Sequence, residues 1–238
     1  MKILIIRHAD PDYSVDSLTD VGRIEAELLA DKLSKTDISD FYVSIYGRAK
    51  ETARYTLEKM NRTATEYEWL KEFSPVAADG KKNVVFWDML PREWTKKEIY
   101  YTKNWYDDED MCGSGIKEEY LRVTGELDAL IARHGYMREG NLYRAQRPNE
   151  DTIALFCHFG IECIFLGHLL GISPILLLHG FCAAPSSVTT LVTEEREQGF
   201  AYFRAGALGD TSHLYAGGRE PSFAARFCEK YDNFDQRH

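Results

Sequence analysis

Four branched aliphatic residues in a row, Ile3-Leu4-Ile5-Ile6, run directly into Arg7 and His8. An apolar run without alternation suits a strand buried on both faces, the pattern of a strand inside a parallel sheet with helices on either side. This stretch directs the chain towards an α/β architecture. Arg7 and His8 then emerge at the C-terminal end of the strand, the edge at which open α/β sheets bind ligands. A neutral imidazole beside a guanidinium sets a nucleophile or base next to an anion clamp, and a phosphate ester fits both groups. The competing reading makes Arg7 and His8 solvated punctuation before the loop Ala9-Asp10-Pro11-Asp12.

The segments that follow keep the α/β order. Thr19 is a good N-cap, with Ile24, Leu28, Leu29 and Leu33 behind it at helical spacing. Phe41-Tyr42-Val43-Ser44-Ile45 is rich in strand formers and leads into a helix opening at Tyr46-Gly47-Arg48. Arg48 therefore sits at a helix N-terminus, where backbone N–H groups already favour an anion and a guanidinium adds a bidentate fork. Glu72, in the stretch Glu68 to Phe73, follows a third strand. Thr152 to Cys157 is again a buried strand, ending in His158 and followed by an apolar helix through about Leu170.

With 238 residues, 44% of them hydrophobic, the chain can bury a sizeable core and is expected to form one domain, 1–238. A net charge of −9 argues against nucleic-acid and anionic-membrane partners, so an anionic substrate has to meet a local cluster of arginines. The five cysteines (Cys112, Cys157, Cys163, Cys182, Cys228) form no CxxC pair and are read as reduced thiols. No secretory h-region and no run of about 18 apolar residues is found, which gives the expectation of a cytoplasmic protein.

Arg7-His8 at the end of a first strand, then Leu-Thr-x-x-Gly, then Ser44-x-x-x-Arg48-Ala49-x-x-Thr52-Ala53, resembles the histidine phosphatase superfamily, the group that includes cofactor-dependent phosphoglycerate mutases. His158 resembles its second catalytic histidine. Ser186 to Leu191 and Gly209 to Leu214 resemble its closing strands and C-terminal motif. The resemblance implies a three-layer αβα sandwich around a mostly parallel sheet, with a cap-like insertion at about 73–117 rich in aromatics (Phe86, Trp87, Trp94, Tyr100, Tyr101, Trp105, Tyr106) ahead of the acidic run Asp107 to Asp110. The alternative for that segment is an excursion whose aromatics cover exposed core and whose acids are merely solvated. The departures are Ala9 and Asp10, where the family continues with Gly and Glu or Gln, and Phe159, where it has Gly or Ala.

A chemistry follows for a phosphomonoester. Arg7 and Arg48 hold its oxygens, His8 attacks phosphorus to form phosphohistidine, and His158 stabilises transition-state charge. By its Leu70-x-Glu72 spacing, Glu72 matches the family's proton donor; Asp10 competes for that role, with Asp16 and Asp20 behind it and Asp79, Asp88 and Glu93 in the insertion. Ser14, Phe159 and Ser187 fall at positions implied to face the substrate. No cofactor and no metal is expected, since the two arginines would repel a cation. The expected function is a metal-independent phosphatase for a small phosphorylated substrate. A phosphoglycerate mutase-type phosphoryl transfer is the near alternative, and a non-catalytic phosphate-binding module the distant one. Arg133-His134-Gly135 matches the literal family motif better than Arg7-His8-Ala9. Tyr120, Val123, Leu127, Leu130, Ile131 and His134, however, recur at helical spacing and end at Gly135, which makes His134 a packing residue. His168, His179 and His213 are likewise expected to pack or cap.

Overall fold

A computed structural model describes residues 1–75, 86, 89–222 and 231–232. The elements, in chain order, are β1 (Lys2–Arg7), β2 (Pro11–Asp12), β3 (Ser17–Leu18), α1 (Asp20–Leu33), β4 (Asp40–Ser44), α2 (Gly47–Met60) and β5 (Thr65–Tyr67). Then come α3 (Pro91–Trp94), α4 (Ile116–Arg133), β6 (Tyr136–Glu139), β7 (Leu142–Ala145), β8 (Thr152–Cys157) and α5 (Phe159–Leu170). The last are α6 (Pro174–Gly180), β9 (Val188–Glu197), β10 (Phe200–Asp210) and α7 (Ser212–Ala216).

Successive strand residues point to opposite faces of a sheet, and β1 supplies both halves of the core by this rule. Ile3 and Ile5 pack with Leu155, with Val123 and Leu127 of α4 and with Ile161 and Phe165 of α5. Leu4 and Ile6 pack instead with Leu29 and Leu33 of α1 and Ala49 and Ala53 of α2. Helices therefore cover both faces, giving the three-layer αβα sandwich. Each fully buried aliphatic of this kind contributes about 1.5–3 kcal/mol relative to exposure.

The sheet has eight strands in the order β5-β4-β8-β1-β9-β10-β7-β6. The block β5-β4-β8-β1 pairs in parallel, and β9, β10, β7 and β6 extend it by antiparallel pairing. Following these senses across the sheet, only β9 and β7 run against the rest, so the sheet is mostly parallel in strand direction.

The structure adds detail to two segments. Glu68 to Leu70 is a 3₁₀ turn after the strand Thr65–Tyr67, and it turns Trp69 and Leu70 inwards where an extended chain would alternate them. In the aromatic segment, α3 is followed by 3₁₀ turns at Glu98–Tyr101, Trp105–Asp107 and Glu109–Met111; pieces this short cannot display a 3.6-residue repeat. Phe86, Tyr100, Trp105 and Met111 belong to the same core as Ile5 and Leu155. Its acids are not merely solvated either, since Asp108 accepts from Lys97 Nζ at 2.6 Å and from the Tyr100 hydroxyl at 2.9 Å, while Asp110 and Asp107 pair with Lys97 and Lys117. Trp87, Asp79, Asp88 and Cys228 lie outside the described residues. Cys112, Cys157 and Cys163 are free thiols. Among the described residues no helix is long and apolar enough to cross a membrane.

Candidate active site

Strand register assembles the site. β1 and β8 are parallel neighbours with Arg7 opposite Cys157, so the residues that follow each strand, His8 and His158, emerge side by side at the same sheet edge. The His8 N–H donates to the Cys157 carbonyl at 3.0 Å, and the two rings stand 5.1 Å apart. β4, on the other side of β8, ends in Ser44, whose Oγ lies 2.8 Å from His158 Nε2.

A hydrogen bond assigns the His8 tautomer. His8 Nδ1 lies 2.8 Å from the Ala9 carbonyl, which can only accept, so Nδ1 carries the proton and Nε2 keeps its lone pair. Ser44 Oγ accepts the Tyr46 N–H and bonds His158 Nε2, to which a hydroxyl can donate or from which it can accept. His158 Nδ1 is buried with no partner among the described residues. Burial holds His8 well below its ordinary pKa, with Arg7 and then Arg48 pushing the same way against the Ala9 carbonyl. His158 is also held well below its ordinary value, by burial first and then by His8, Arg48 and Arg7. Two neutral imidazoles thus face each other, and His8 has a lone pair to give.

The arginines approach from two elements. Arg7, at the end of β1, donates from Nη1 to the Ala183 carbonyl at 2.6 Å and lies 5.8 Å from the centre of the Phe159 ring. Arg48, in the first turn of α2, has a buried side chain that stacks on Tyr46 at 4.7 Å and donates from Nη1 to Asp16 Oδ1 at 2.5 Å. Asp16 also accepts the Gly47 N–H at 2.7 Å, and a Cβ on Gly47 would lie 2.1 Å from the Asp16 carbonyl. Glycine is therefore required there for the loop to reach the helix start. Thr52 ties the same helix to the first loop, accepting the Ala9 N–H at 2.9 Å and donating to the Arg48 carbonyl at 2.8 Å. Ala9 itself has an ordinary negative φ, as its side chain demands.

Glu72 reaches the site from beyond the 3₁₀ turn. Its Oε1 accepts the Phe73 N–H at 2.9 Å and the Ile161 N–H at 3.1 Å. The second of these caps the first turn of α5, directly after His158. Burial raises the carboxyl pKa, opposed by the Phe73 N–H, Arg7 and the Ile161 N–H. Asp10 is committed elsewhere: its Oδ2 accepts from the Thr19 hydroxyl at 2.6 Å and its N–H donates to Glu25 at 2.9 Å. Asp20 pairs with Arg23 at the surface, and Glu93 lies in α3.

The remaining sequence-derived positions divide. Ser187 is buried, its carbonyl accepts the Arg7 N–H at 3.2 Å, and its hydroxyl has no partner among the described residues. Phe159 opens α5 beside Arg7. Ser14 stands apart: it is exposed, and its hydroxyl donates to Asp12 at 2.5 Å. His134 caps α4 and bonds the Tyr42 hydroxyl at 2.9 Å. His168, His179 and His213 engage Asp128, Ile175 and Ser186 in turn.

Three participants escape a sequence reading. Ser44 is in the motif, but its bond to His158 needs the β4–β8 register. Asp16 comes to Arg48 through a loop with φ of 50°. Glu162 is only 3% exposed and lies one turn after His158 in an otherwise apolar helix. Burial lifts its carboxyl to about 7, while Thr189 and Arg7 pull it down. A lone carboxylate in the run Gly160 to Leu166 was the available signal. Among the described residues no group of three or more His, Cys, Asp or Glu is arranged to hold a metal ion.

Residues 3–205 match the family model of the histidine phosphatase superfamily (branch 1). No curated protein matches the chain in sequence. Among solved structures, a phosphoserine phosphatase mutant from Entamoeba histolytica in complex with phosphoserine is similar at a TM-score of 0.59 and 16% identity, covering 90% of this chain and 98% of that one. A mycobacterial glucosyl-3-phosphoglycerate phosphatase in complex with VO3 is similar at a TM-score of 0.60 and 17% identity, covering 87% and 98%. At these identities the likeness shows the fold.

Proposed function

We propose that this chain, which belongs to the histidine phosphatase superfamily (branch 1), is a phosphatase that hydrolyses a small phosphomonoester through a phosphohistidine on His8, without a metal ion. The observation that carries the reading is the Nδ1 bond from His8 to the Ala9 carbonyl, which leaves Nε2 as a lone pair in a site walled by Arg7 and Arg48. Guanidiniums on the phosphoryl oxygens neutralise charge that would repel the attack. His8 Nε2 forms a bond to phosphorus as the ester P–O bond breaks, and Glu72, whose pKa burial raises, gives a proton to the departing alcohol oxygen. Water then attacks the phosphohistidine, Glu72 takes back a proton, and inorganic phosphate leaves.

His158 Nδ1 supplies an N–H to the same oxygens. The incoming dianion favours its imidazolium form and offsets the three neighbouring groups that suppress it. The buried Ser187 hydroxyl and the Phe159 ring face the substrate beside Arg7, and Ser14 joins only by giving up Asp12. The acidic surface and reduced thiols suit a cytoplasmic enzyme of one domain, 1–238, with 73–117 as its insertion.

Trapping tests the reading. A substrate pulse quenched in denaturant at neutral pH is expected to leave an acid-labile phosphoryl group on the peptide bearing Arg7-His8, with full turnover in the presence of a chelator. No phosphopeptide, together with inversion at a chiral phosphate, means direct attack by water and overturns it.

A further inference from the structure

A cavity of about 580 Å³ opens away from the two histidines, between α4, the C-terminal end of α5, the β6–β7 hairpin and the aromatic segment. That volume is in the range of small-molecule sites. Its walls carry the rings of Tyr106, Tyr120 and Tyr202 and the basic side chains Lys103, Arg138 and His168. No aspartate or glutamate lines it among the described residues, in a chain whose net charge is −9.

His168 pairs with Asp128, which leaves Lys103 and Arg138 as the cationic groups of the wall. Among the described residues Arg138 donates to neutral acceptors: the Gly140 carbonyl at 2.7 Å, the Tyr143 hydroxyl at 2.8 Å and the His168 carbonyl at 3.3 Å. Lys103 is exposed and makes no ion pair among the described residues. The nearby carboxylate, Asp128, is taken up behind the wall by Tyr143 at 2.6 Å and His168 Nε2 at 2.9 Å. The carbonyls closing α5, which would repel an anion, are also engaged: Leu170 accepts the Tyr202 hydroxyl at 2.7 Å and Gly167 the Ile172 N–H at 3.1 Å.

The aromatic wall continues towards the catalytic end. Tyr106 and Tyr120 lie 5.2 Å apart, Tyr120 meets Trp105 at 5.6 Å, Trp105 stacks on Phe86 at 6.3 Å and Phe86 meets Phe73 at 5.4 Å. The Phe73 N–H is one of the two donors that fix Glu72. Rings in van der Waals series within a close-packed core transmit displacement.

We propose that this cavity binds a planar aromatic ligand bearing an anionic group, and that its occupancy alters the placement of Glu72; the second half rests on the role given to Glu72 above. Stacking surfaces receive the ring, and Lys103 and Arg138 receive the charge.

The test is a fluorescence titration of the full chain with 8-anilinonaphthalene-1-sulfonate, run with saturating inorganic phosphate to fill the catalytic end. One saturable site is expected, unmoved by phosphate. Lys103→Glu should weaken it about tenfold, the effect of reversing one charge near a partly solvated anion, and the uncharged N-phenyl-1-naphthylamine should bind correspondingly less well. Leu121→Trp, at an exposed rim position, should fill the mouth and abolish binding. Displacement by phosphate, equal binding of the uncharged dye, or indifference to both substitutions overturns the site. With the dye bound, turnover of an alkyl phosphate should change in the wild type and not in Leu121→Trp; unchanged turnover overturns the coupling. A chain that hydrolyses no ester overturns the coupling along with the function, and the titration still decides the site.

Discussion

Arg7-His8-Ala9 closes a strand, and Arg133-His134-Gly135 closes a helix. The second has the glycine that the family motif would ask for, and it uses it to end α4, with Gly135 at φ of 96° and a Cβ there meeting the Arg147 carbonyl at 2.5 Å. Around His134 every group is settled: Nε2 bonds Tyr42, the carbonyl accepts from Asn149 and Arg133 reaches the Tyr67 hydroxyl. Around His8 the groups converge instead. A second imidazole, two guanidiniums and a carboxyl with a raised pKa share one edge of the sheet. Identical residue types thus pack at a helix end in one place and gather charged groups at a sheet edge in the other, and strand register makes the difference.

The largest effect that would break this comparison is kinetic. His8→Ala should lower turnover of nitrophenyl phosphate by at least about 10³-fold, the scale seen when a nucleophile is removed, while His134→Ala stays within about twofold. A reversed pattern would transfer the nucleophile to the helix end. Next comes Glu72→Gln, expected to slow hydrolysis of an alkyl phosphate by about 10²- to 10⁴-fold and nitrophenyl phosphate far less, because nitrophenolate leaves without a proton. Asp10→Asn, whose carboxylate holds Thr19, should show a small loss that is even across leaving groups.

The fold was legible where one local pattern sufficed. β1 and β8 announce themselves as apolar runs and α5 as a run broken by Glu162 and His168, and Thr19 caps α1 as its side chain allows, accepting the Gly22 N–H. The positions of His8, His158 and both arginines follow from such elements. The 3₁₀ turn at Glu68 to Leu70 carries no signal of its own because a single such turn and a strand end look alike over three residues. Asp16 and Glu162 are invisible for a different reason: their partners, Arg48 and Thr189, are distant in sequence, and no periodicity records a contact of that kind.

Glu162 gives a third way to sharpen the contrast, through stability. A carboxyl titrating at about 7 in the folded chain and near 4.5 when unfolded keeps its proton longer in the native state. Folding is therefore favoured by that proton below pH 4.5, and the advantage is lost as pH rises through 7. The difference in unfolding free energy between wild type and Glu162→Gln should shift by about 3 kcal/mol across that window, read from denaturant titrations at a series of pH values. A flat difference would place the carboxyl in water. The smallest effect belongs to the helix end, where His134→Ala strands the Tyr42 hydroxyl and should cost about 1 to 2 kcal/mol of stability with turnover unchanged.

On the function proposed above, the clasp of Asp16 on Arg48 and on the start of α2 makes substrate capture an exchange of anions. A phosphoryl group arriving at that guanidinium meets a resident carboxylate, and the measured affinity is the difference between two bindings. Such a site turns away weak, singly charged oxyanions, since they gain no more than Asp16 already provides. It yields to a dianion that engages both arginines together, so the loop that carries Asp16 works as a threshold set by charge.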